Sequence, residues 1–206
     1  MSSKSLLLTS SQRLQAEEIS EPEPLGGGFV THQVLVQGIN LLPVGVQPRP
    51  ISAHFAAAGP SIEANVDGSV TPVTFDLAPA DPDIYRIERL RLTIVATTAV
   101  GLSGFGNLAV LGQGLLLQVL NTDNVEIFDV LAGVPIQSGF DLHELGTVET
   151  VALGTEHMLI AEIVLASPIR LEAGFGEKLR LTVRDNLSTL TRVRLRGIGF
   201  VENRRS

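Results

Sequence analysis

Lys178-Leu179-Arg180-Leu181-Thr182-Val183-Arg184 and, a short polar stretch later, Arg192-Val193-Arg194-Leu195-Arg196 decide how this sequence is read. In both runs a charged or polar residue takes every second position and an aliphatic one fills the position between. Side chains of an extended strand point alternately to its two faces. Leu179, Leu181, Val183, Val193 and Leu195 are therefore expected in a core, with Arg180, Arg184, Arg192, Arg194 and Arg196 on the opposite face. The intervening residues 185–190 are rich in turn formers, so the two strands are expected to form a hairpin and to present their five arginines together as an interaction face.

The same texture extends back to about residue 61. Strand-like runs are expected at residues 70–77, 84–96, 115–120, 125–131, 147–153, 158–165 and 169–172, ahead of the pair at 178–184 and 192–201. Gly, Pro, Asn or Asp bounds each of them, as in Pro79-Ala80-Asp81-Pro82 and Asn121-Thr122-Asp123-Asn124. Nine or so strands with little helix point to an all-β fold of two packed sheets, a jelly-roll-like β-sandwich over residues 61–206.

Residues 1–60 read differently. The first 28 are Ser-rich, then acidic and Pro-rich from Glu17 to Pro24, then Gly26-Gly27-Gly28. Such a stretch has too little apolar surface to offset the entropy of ordering by itself, so an extended N-terminal arm is expected, ordered only against a partner. Residues 29–60 hold one strand-like run, Val34-Leu35-Val36, and then Pro43, Pro48, Pro50 and Pro60, which suggests an extended connector.

Composition narrows the chemistry. The chain has 206 residues, no cysteine, no tryptophan and one tyrosine, Tyr85. Disulfides, thiol nucleophiles and cysteine-ligated zinc are excluded, and an aromatic platform for sugar or bases is not supported. The start lacks the apolar run of a secretory signal, and the longest apolar stretches are interrupted by Thr, Gly and Gln, so no membrane partner is expected. The formal net charge of −7 is unevenly distributed: residues 170–206 carry +5 and residues 1–169 carry −12. A chain polarised in this way suits contact with further copies of itself or with an oppositely charged partner.

Two strings imitate catalytic motifs. Gly104-Phe105-Gly106-Asn107-Leu108-Ala109 has the glycine spacing of a dinucleotide loop, but Gly112 and Gly114 interrupt any helix behind it, leaving at most a helical turn at residues 107–111. Asp141, His143 and Glu144 cluster like metal ligands, yet the second histidine of an H-E-x-x-H helix is missing. No G-x-S-x-G string occurs, and carboxylate pairs such as Asp81 and Asp83 sit beside turns. Nucleic acid would have to use the arginine strands, whose interleaved residues are aliphatic and do not stack on bases. No enzyme activity, metal or cofactor is expected, and nucleic acid is not an expected partner.

One set of strings resembles the small jelly-roll head-stabilising proteins of tailed bacteriophages, the cement or decoration proteins. It runs from Val66-Asp67-Gly68-Ser69-Val70-Thr71-Pro72-Val73 through Tyr85-Arg86-Ile87-Glu88-Arg89-Leu90, Phe105-Gly106-Asn107-Leu108, Leu111-Gly112-Gln113-Gly114 and Gln118-Val119-Leu120-Asn121 to Leu171-Glu172-Ala173-Gly174 and Leu181-Thr182-Val183-Arg184-Asp185-Asn186-Leu187. The resemblance implies a virion structural protein at the capsid surface, a homo-oligomer of trimer order whose arm reaches across neighbouring major capsid protein subunits. It brings no catalytic residue and no cofactor. The alternative is a phage tail, baseplate or adaptor jelly roll with a binding role, for which exposed aromatics would be expected.

Overall fold

A computed structural model describes residues 49–58 and 61–203. The chain divides into two units, Met1–Gly45 and Val46–Ser206, and all described residues belong to the second. The arm and the Val34-Leu35-Val36 run lie outside the described residues.

Nine strands form two antiparallel sheets. Among the described residues they are β1 (Arg49–His54), β2 (Val73–Leu77), β3 (Asp83–Ala96), β4 (Leu115–Leu120), β5 (Glu126–Asp129), β6 (Gly146–Leu153), β7 (Glu156–Glu172), β8 (Lys178–Val183) and β9 (Arg192–Asn203), with an α-helix, α1 (Gly139–Leu145), before β6 and a 3-10 turn, Ala173–Phe175, after β7. The five-stranded sheet has the order β1-β9-β3-β7-β6 and the four-stranded sheet the order β2-β8-β4-β5. The pairs β1·β9, β2·β8, β3·β7 and β4·β5 nest around the β4–β5 turn and alternate between sheets, which is the winding of a jelly roll. β6 is an addition at the edge, laid against β7.

Alternation explains the packing. On β8, Leu179, Leu181 and Val183 are buried; on β9, Val193 and Leu195; on β3, Leu90, Leu92 and Ile94; on β4, Leu115, Leu117 and Val119. These side chains meet between the sheets with Phe55, Phe75 and Phe105 in one cluster. Each fully buried aliphatic or aromatic side chain contributes on the order of 1.5–3 kcal/mol, which is why the inward parity of these four strands is fixed.

Three expectations change. β1 lies inside the stretch read as a connector: it pairs with β9 over six residues, Arg49↔Val201 to His54↔Arg196, so the sandwich includes residues ahead of 61. Pro50 fits because β1 is an edge strand, where a missing N–H costs no ladder bond. The runs at 158–165 and 169–172 are one strand, β7. Its register on β3 passes from Arg89↔Val164 to Ile87↔Ile169, so the interruption around Pro168 lies opposite an irregularity at Glu88. The loop after β5 contains α1, capped by a box in which Ser138 Oγ accepts from Asp141 N while Asp141 Oδ2 accepts from Ser138 N at 2.7 Å.

Candidate interaction surface

The five arginines proposed as one face do not share one. β8 belongs to the four-stranded sheet and β9 to the five-stranded sheet, so the expected hairpin is absent: the chain crosses from one layer to the other between Val183 and Arg192. Inward parity was read correctly for both strands. Alternation reports which face of a strand is buried, not which sheet holds the strand, and the outward residues of β8 and β9 therefore decorate opposite sides of the sandwich.

On the four-stranded sheet the charges are matched. Asp76 on β2 stands directly opposite Arg180 and accepts from its Nε and Nη2, both at 2.7 Å. Those hydrogen bonds raise the guanidinium pKa above its ordinary value. Lys178 lies 3.8 Å from the same carboxylate. Arg184, just past β8, donates to the carbonyls of Gln113 and Gly114, at 3.4 Å from Nε to the latter. Its neighbour Asp185 accepts from the backbone N–H groups of Gly112, Gln113 and Gly114, the last at 2.6 Å. Arg180 and Arg184 are thus committed to holding the fold.

The five-stranded sheet is different. Arg192, Arg194 and Arg196 line the outward side of β9, next to Arg89 and Arg91 on β3. Glu63 Oε1 takes Arg194 Nε at 2.6 Å and Arg192 Nε at 3.5 Å, and Glu162 on β7 lies 3.7 Å from Arg89 and 3.9 Å from Arg91. Arg196 Nε donates to His54 Nε2 at 2.8 Å. Partial burial and the charges of Arg196 and Arg194 lower the pKa of His54, so it serves as a neutral acceptor and adds no charge. Five guanidiniums here share two carboxylates.

Beside this basic strip lies an apolar patch, with Val95 buried and Met158 and Ile160 half-buried. Val95, Met158 and Ile160 floor a hollow of about 230 Å³ rimmed by Arg91, Arg192, Arg194 and Arg196. Val164 and Phe200, also outward, are 63% and 37% exposed. A sheet with one solvated face normally carries polar residues there. Sequence reading missed this because it assigned the interaction face from the arginines of the 178–184 and 192–196 strands alone, whereas Val95, Met158, Ile160 and Val164 come from β3 and β7.

The catalytic look-alikes resolve into structural roles. Phe105 and Leu108 bridge to each other across Gly106-Asn107, with Phe105 fully buried, and no helix follows, not even the turn at 107–111. Asp141 is consumed by the cap of α1. Among the described residues no group of three His, Asp or Glu side chains is placed to hold a metal ion, and no helix is long and apolar enough to cross a membrane. Comparisons of this chain with family models, with curated proteins and with solved structures return no match.

Proposed function

We propose that this chain is a non-catalytic assembly protein: a virion structural protein that stabilises a phage head by bridging neighbouring subunits of the major capsid protein at the capsid surface. The observation that carries the reading is the outward face of the five-stranded sheet, where an apolar patch lies among arginines. Aliphatic floor plus guanidinium rim is the composition of a protein–protein contact, in which arginine is enriched and the apolar centre excludes water. The jelly-roll strand order agrees with the resemblance of residues 66–187 to cement proteins, and the oligomer, the capsid partner and the virion address belong to the same proposal. Immunogold labelling of virions purified from cells that make the protein tests it. Gold on heads is the expected result; gold on tails or baseplates would favour the adaptor reading, and unlabelled particles would overturn both.

A further inference from the structure

The outward face of the five-stranded sheet has a second property. Its two long sides carry opposite charge. Arg192, Arg194 and Arg196 stand on β9, near one edge; Glu149 on the opposite edge strand, β6, and Glu156, which pairs with Leu153 at the end of the β6–β7 hairpin, are exposed on the other. Between residues 91 and 170 the sequence contains eight Asp or Glu and no Lys or Arg, and Arg91 of β3 shares a hollow with Glu149 and Glu162. Register places Arg194, Thr93, Ile160 and Glu149 in one row across four strands, and Arg192, Val95, Met158 and Val151 in the next. These two rows run from a cation, across an uncharged middle, to a carboxylate or an aliphatic residue, and the adjoining row is Arg196, Arg91, Glu162 and Thr147, in which β3 supplies a cation and β7 a carboxylate.

A face patterned in this way is its own complement. Turned over by half a turn about an axis that lies in the contact plane, parallel to the strands and above the gap between β3 and β7, the arginine side falls over the glutamate side, and the apolar middle falls over itself. We propose that a second copy of this chain covers the face, stacked sheet against sheet about that two-fold axis. Contact of this kind is isologous, each arginine side meeting the partner's glutamate side twice over. Stacked sheets pack about 10 Å apart with their strands rotated by roughly 30°, which lets the Met158 and Ile160 side chains of two copies interdigitate. Five strands spaced by about 4.8 Å and about eight residues of about 3.3 Å rise give roughly 500 Å² per copy, about 1,000 Å² in total, the lower bound of a specific interface. The excess of guanidinium over carboxylate on the β9 side then has a partner, and like charges do not meet.

This inference rests on the oligomeric part of the proposed function; it assigns the face to a second copy and leaves the capsid contact to the rest of the chain. Because a dyad doubles whatever it acts on, light scattering of the full-length chain at tens of micromolar, a range set by weak-interface affinities, should return an even stoichiometry: a dimer, or a hexamer where three-fold order is added. A monomer or a trimer overturns the dyad, and a trimer would leave the oligomer of the proposed function standing. Two reversed variants, Glu149→Arg with Glu156→Arg, and Arg192→Glu with Arg196→Glu, should each weaken association at least about tenfold, while their equimolar mixture restores it. Unchanged association in either variant overturns the proposal. The chain has no cysteine of its own, so Ile160→Cys, beside the axis, should cross-link two copies on oxidation, whereas Thr182→Cys on the other sheet should not. That pair reads the contact even where a reversed variant fails to fold, and equal cross-linking at both positions would sink it.

Discussion

Asp185 illustrates how much of this fold hangs on single polar side chains at strand ends. Its carboxylate gathers three successive backbone N–H groups, those of Gly112, Gln113 and Gly114, and so pins the loop before β4 to the end of β8. The same loop accepts hydrogen bonds from Arg184 through two carbonyls, so donors and acceptors of one turn are satisfied by adjacent residues of another. An amide in place of the carboxylate loses both the charge and one acceptor. Hydrogen bonds to a charged group are worth roughly 1.5–3 kcal/mol when buried and less where water competes, as it does here, so Asp185→Asn should cost about 1–2 kcal/mol. Urea unfolding monitored by circular dichroism would show it as a lowered midpoint with an unchanged slope. A midpoint within error of the parent protein would mean that water replaces the carboxylate at no cost.

At the scale of elements, Gly199 on β9 allows two strands to approach. A Cβ built there would lie 1.8 Å from the carbonyl oxygen of Arg86 on β3, beside the irregularity at Glu88 where the ladders of β3 with β7 and with β9 both shift register. Backbone cannot yield as a side-chain tip can, so Gly199→Ala should destabilise the sandwich by about 3 kcal/mol or more, whereas Ala152→Gly on the exposed edge strand should cost less than about 1 kcal/mol. Comparable thermal shifts for the two would refute the close-approach argument. Elements of this kind mark the limit of what was legible. Strands with clean alternation, β3, β4, β8 and β9, stand almost where residue pattern put them, because burial of one face dictates period two. β1 was hidden by Pro48 and Pro50, and its partner lies some 150 residues away, a distance over which sequence carries no local signal. α1 had a visible start, Ser138 followed three residues later by Asp141, which metal-like clustering with His143 obscured. For the candidate face, the arginines were visible but their companions were not: Glu63, His54 and Glu162 are brought to β9 and β3 only by the fold.

For the whole molecule, the described core is built from residues 53–195, including Phe55 on the segment after β1 and Leu195 on β9. In the proposed function residues 1–28, which contain four glutamates, serve the contact with the shell rather than the core. Removal of residues 1–28 should therefore leave the unfolding midpoint of the sandwich within about 0.5 kcal/mol of the full chain. The same truncation should abolish attachment to the capsid shell, read by co-sedimentation with heads that lack the protein. The two readouts separate the roles of the parts. Loss of stability would show that the first 28 residues belong to the core, and retained co-sedimentation would move the shell contact onto the sandwich itself.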